Sequence, residues 1–77
     1  MPQQFIERAK QAIEKAKKAN ASKFARDELA QAESACTTAL HQLNLHNEFE
    51  AKSFAIWADD RAKVALKIAR AKQTERS

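Results

Sequence analysis

Residues 51–71 read AKSFAIWADDRAKVALKIARA. Alanine stands at Ala51, Ala55, Ala58, Ala62, Ala65 and Ala69, in steps of four, three, four, three and four. Steps that alternate in this way mark one face of an α-helix. At about 100° per residue the alanines cluster within about 40° of one line. Small side chains let two helix axes approach to the low end of the usual range of about 8–10 Å, and Ala has the highest helix propensity. The seven-residue repeat favours a crossing near about +20°, the geometry of left-handed bundles.

The same helix carries a second apolar strip roughly 100° away, formed by Phe54, Trp57, Val64 and Ile68. Lys52, Asp59, Asp60, Lys63, Lys67 and Arg70 fill the remaining arc. A helix with two adjacent apolar strips touches two neighbours. Those neighbours are two other helices of the same chain, or one of them is another molecule. Trp57 is read first as an inter-helix core residue and second as an anchor for a partner.

Two further helices complete the chain. The first is expected from about Pro2 to Ala19, with Pro2 suited to an opening turn. Phe5, Ala9, Ala12, Ala16 and Ala19 form its stripe, flanked by Ile6 and Ile13. Asn20-Ala21-Ser22 is read as a break. The second helix is expected over about 26–45, with Asp27 and Glu28 in its first turn, where the helix dipole favours acids. Ala25, Leu29, Ala32, Cys36, Ala39 and Leu43 line it, with Leu40 at the edge. The third helix is expected over about 47–74, with Asn47 as N-cap. The sequence therefore predicts an all-α fold, an antiparallel three-helix bundle in one domain spanning 1–77. Alanine contributes little burial energy, so Phe5, Ile13, Leu29, Leu40, Leu43, Phe54, Trp57, Val64 and Ile68 are expected to supply most of it.

The chain has 77 residues, no glycine, one proline and a net charge of +4. That size allows one small domain of marginal stability. Charge is distributed unevenly: residues 1–26 carry +5, residues 27–50 carry −5 and residues 51–77 carry +4. An acidic helix between two basic ones reads as internal complementarity. The basic residues interleave with acids at helical pairing distances, and no nucleic-acid-binding motif accompanies them, so nucleic acid is a disfavoured partner. Weak attraction to anionic surfaces is a comparable minor reading.

Chemistry is sparsely signalled. No run of about 18 apolar residues predicts a transmembrane segment, and the start lacks the apolar core of a signal peptide. Cys36 makes no internal disulfide and reads as a small buried hydrophobe, with a reactive or palmitoylated thiol as the minor reading. His41 and His46 are five residues apart and do not share a helix face, so no metal site is predicted. Asp59 and Asp60 point about 100° apart and are not a catalytic pair. With no glycine there is no phosphate-binding loop. No catalytic residue and no cofactor is expected, and the chain is read as a non-enzyme. A small thiol or metal enzyme would have to use His41, His46 or Cys36.

The spacing as a whole resembles a bacterial alanine-rich helical family, catalogued as domain of unknown function 4398. The resemblance rests on the alanine-spaced first helix and on Phe24-Ala25 through Glu28-Leu29. It continues in Cys36 through Ala39-Leu40, the turn at His46-Asn47 and the Ala51 stripe. Cys36 stands where the pattern has alanine, Arg26 where it often has proline, and His46 where it often has glycine. The resemblance implies an envelope or periplasmic setting, commonly behind a leader and beside an OmpA-like peptidoglycan-binding domain, and it brings no catalytic residues. A weaker likeness, in Ala39, Ala51 and Ala58, is to the small positions of a tetratricopeptide hairpin. The expected function is a helical spacer or interaction module, binding a protein partner or a second copy. Its candidate partner surface is Phe54, Trp57, Val64, Ile68, Lys63, Lys67 and Arg70. The alternative is a cytosolic helical adaptor that binds an acidic partner or nucleic acid through its basic helices.

Overall fold

Helix begins at Pro2, where a missing N–H costs nothing, and the chain is almost wholly helical from there. The computed structural model describes residues 2–76. It contains α1 (Pro2–Lys18), α2 (Ala21–Phe24), α3 (Arg26–Asn44) and α4 (Glu48–Arg76). The fold is all-α, as predicted, and each of the three long helices ends within two residues of its expected boundary.

Helix α4 lies in the valley between α1 and α3 and packs against both. The side chain of Lys52 lies over the Phe5 ring near one end, and Gln73 donates a hydrogen bond to the Ala19 carbonyl near the other. So α1 and α4 run parallel. The short turn at residues 45–47 sets α3 antiparallel to α4, giving an up-down-up bundle of 47 × 18 × 14 Å. Lys17 and Glu33, 3.2 Å apart, join basic α1 to acidic α3. At the surface such a pair is worth under about 1 kcal/mol.

The core is made largely of alanine. Among the described residues, thirteen of the seventeen buried apolar side chains are Ala, and all six of the α4 line are 0% exposed. The larger buried side chains are Ile6, Ile13, Leu29 and Cys36. The expected placement is corrected at one residue, Trp57, which is 47% exposed. Of the nine residues assigned most of the burial, Ile13 and Leu29 are interior and Trp57 is not; Phe5, Leu40, Leu43, Phe54, Val64 and Ile68 are half-buried around the alanine seam. The reason is the close approach that alanine permits, which leaves no width inside for large groups.

In α1 the buried line is Ile6, Ala9, Ile13 and Ala16, with Phe5, Ala12 and Ala19 at its margin. The expected stripe is thus rotated by the second contact: Ile6 meets α3 near Leu40 and Leu43, while Ala12 meets α4 near Leu66.

The expected break at 20–22 is instead the entry to α2. Asn20 takes φ 66°, a left-handed conformation that asparagine tolerates, and its carbonyl accepts from Lys23 and Phe24. Ala25, at φ −143°, ψ 51°, then separates α2 from α3. Four residues are too few to show as apolar periodicity, which explains the omission.

The turn before α4 is a Schellman motif. The Asn47 N–H donates to the Gln42 carbonyl and the His46 N–H to the Leu43 carbonyl. Asn47 also donates its side-chain amide to Gln42 Oε1 at 2.8 Å, and its carbonyl accepts from Ala51 as α4 begins. His46 occupies the left-handed position, φ 63°, with a Cβ that this conformation disfavours. Replacing it by glycine relieves that strain but loosens the unfolded chain. The expected net result for His46→Gly is a stabilisation of about 0.5–1 kcal/mol, read from the urea midpoint.

Candidate functional site

Burying the alanine line of α4 turns the opposite side of the helix outward. Among the described residues, Leu45, Phe49, Ile56 and Trp57 are the exposed large apolar ones, with Phe49 83% and Trp57 47% exposed. Trp57 is therefore a surface residue and not the core residue of the first reading. Phe49 and Ile56 are seven residues apart, on one helical line about 150° from the alanines. The sequence carried that signal: the arc assigned to charged residues is interrupted by both.

The predicted strip divides. Phe54 and Ile68 are half-buried and pack on the core, whereas Val64 is half-buried and Trp57 stands further out. Arg61 falls among them on the helical wheel, which the reading of an uninterrupted apolar strip missed. Its guanidinium lies 3.8 Å from the Asp60 carboxylate, and its Nε is buried without a hydrogen-bond partner. Lys63, Lys67 and Arg70 are exposed further round the helix, along the line of Phe49 and Ile56. Lys63 is held by Asp59 at 2.8 Å, an i,i+4 pair. The α4 surface thus offers a partly exposed apolar strip beside a row of cations.

A second feature lies on the other side of α4. A groove of about 300 Å³ runs between α1 and α4, lined by Arg8, Gln11, Ala12, Lys15, Asp59, Lys63 and Leu66. At its end the Phe5 ring is flanked by the Arg8 guanidinium at 5.7 Å and the Lys52 ammonium at 5.1 Å. Contacts of this kind hold long cationic side chains in place.

His41 and His46 are both exposed, one in the last turn of α3 and one in the turn that follows. Among the described residues no group of three or more His, Cys, Asp or Glu comes together, and no helix is long and apolar enough to cross a membrane. Cys36 is a buried free thiol. Burial pushes its pKa up; Lys10 opposes that effect and Glu7 adds to it.

A folded-state pKa above the unfolded one means that the native thiol keeps its proton longer. Its contribution to stability is complete below the ordinary thiol range and declines as pH rises through that range towards the folded value. Because the thiolate is the nucleophile, iodoacetamide at pH 8 is expected to label the native protein at least tenfold more slowly than the urea-unfolded chain, followed by mass spectrometry. Equal rates would mean that Cys36 is open to reagent.

In comparisons with family models, curated proteins and solved structures, no match to this chain was found. What the fold defines is a class: a small all-α bundle, closely packed on alanine, with one long helix that carries both candidate surfaces.

Proposed function

We propose that this chain is a non-catalytic helical spacer and interaction module, working in the bacterial cell envelope. The observation that carries the interaction role is the outer face of α4. There Trp57 and Ile56 are each 47% exposed beside Val64, while the alanine line on the other side of the same helix is wholly buried. A tryptophan held on a rigid helix is a favourable anchor, because little conformational freedom remains to be lost on binding. The 47 Å length of the bundle suits a spacer.

The envelope setting rests on the resemblance. Two departures from the family pattern lie at helix boundaries that suit the family residue. His46 has the left-handed conformation natural to glycine, and Arg26 takes the first position of α3, where proline is well accommodated.

Location and contact are tested separately. The native gene's leader, fused to a reporter active only outside the cytoplasm, is expected to give signal; cytosolic retention overturns the envelope setting. A photo-crosslinking residue at position 57, in the native host, is expected to give one discrete adduct that position 37 on α3 does not give. Identical patterns at both positions overturn the role of the strip.

A second reading, a cytosolic adaptor for an acidic partner, is favoured by the exposed cations Lys63, Lys67 and Arg70. Nucleic acid is the weaker version of it, since Asp59 and Asp60 sit within the same surface.

A further inference from the structure

We infer that the groove between α1 and α4 is a docking site for an acidic amphipathic helix of a partner protein. This rests on the reading of the chain as an interaction module but uses a different face from the Trp57 strip. Its walls carry Arg8, Gln11 and Lys15 from α1 and Asp59 and Lys63 from α4, and Ala12 and Leu66 also line it, contributing its apolar surface.

The spacing identifies the occupant. Arg8 and Lys15 are seven residues apart on α1, and Lys63 stands on the facing α4 wall. The α1 pair therefore repeats after two helical turns, about 10.5 Å. A helix laid along the groove presents acids at the same interval, with small or aliphatic residues between them facing Ala12 and Leu66. Arg8 and Lys52, both held over Phe5, extend the cationic wall at one end.

Asp59 argues against a nucleic acid. A nucleic-acid strand carries a phosphate at about every 3.4 Å of duplex axis, so a carboxylate on the wall repels it. A helix with acids seven residues apart can place a neutral or basic residue there. Asp59 then favours protein over polyphosphate, and Lys63 is already oriented by its 2.8 Å pair with it.

The test uses the whole chain and a synthetic 21-residue peptide with leucine and alanine along one seam and glutamate on both flanks. Fluorescence anisotropy is expected to show saturable binding that weakens as salt is added. Arg8→Glu, Lys15→Glu and Lys63→Glu are each expected to weaken it about tenfold, with helical circular dichroism unchanged and the urea midpoint lowered only slightly. Trp57→Glu is expected to leave it unchanged, which separates this groove from the Trp57 strip. Three results overturn the proposal. One is no saturation below about 1 mM peptide. Another is binding indifferent to the Arg8 and Lys15 reversals. The third is binding of poly-glutamate or single-stranded oligonucleotide as tight as that of the peptide, which would describe an unspecific basic surface.

Discussion

Ala62→Leu is expected to cost about 3 kcal/mol or more and to lower the urea midpoint sharply. Ala62 lies midway along α4, is 0% exposed, and belongs to the line on which α4 meets both α1 and α3. A leucine there adds three carbons where no space exists. Overpacking a well-filled core costs about 1–3 kcal/mol, occasionally more, when neighbours can shift. Here the shift required is of whole helices, because thirteen of the seventeen buried apolar side chains among the described residues are alanines, which have nothing to rotate aside. A chain of this length has about 4–12 kcal/mol of total stability. The control is Ala71→Leu, on the same helix but exposed, where the change should lie within about 0.5 kcal/mol. Leucine and alanine differ little in helix propensity, so the contrast reports packing. Urea denaturation of both variants checks it. Equal midpoints would mean that the alanine seam is not the packing line.

The alanine seam was legible because its period is a backbone property that few alternative folds can use. Six alanines in alternating steps of four and three state which face is buried without reference to any partner. The three long helices and their boundaries followed from the same periodicity and from the polar breaks at Asn20 and Asn47. Two kinds of information were not legible. One was local: α2 is a single turn, and the break at Ala25 carries no glycine or proline to mark it. The other was radial. Periodicity reports direction around a helix but not depth, and depth depends on how closely the axes approach. Trp57 and Val64 point towards the flank as predicted, yet the short alanine contacts draw the helices together and leave Trp57 outside. The candidate surfaces depend on that depth. The α1–α4 groove depends besides on the parallel pairing of two helices that are far apart in sequence, for which no short motif exists.

Leu29→Ala is expected to destabilise the chain by about 3 kcal/mol, and Trp57→Ala by about 1 kcal/mol or less, reversing the order expected from side-chain size. Leucine-to-alanine changes in interiors cost about 2–5 kcal/mol, through lost transfer energy and the cavity that remains. Leu29 is 5% exposed in the first part of α3 and is one of four large buried side chains, with Ile6, Ile13 and Cys36. In a core built mainly from alanine methyl groups, its removal takes an unusual share of the apolar volume. Filling the cavity would require α3 and α4 to close further, and the alanine contacts already hold them near their limit. Tryptophan-to-alanine changes in cores cost about 3–5 kcal/mol. At 47% exposure Trp57 forgoes much of that, and the truncated site opens to water instead of leaving a void. Thermal and urea unfolding of the two variants, with concentration held fixed, provide the measurement. A loss at Trp57 equal to or larger than that at Leu29 would place the indole inside a packed contact. If that loss shrank at lower protein concentration, the contact would lie between copies of the chain, because only an intermolecular contribution to stability depends on mass action.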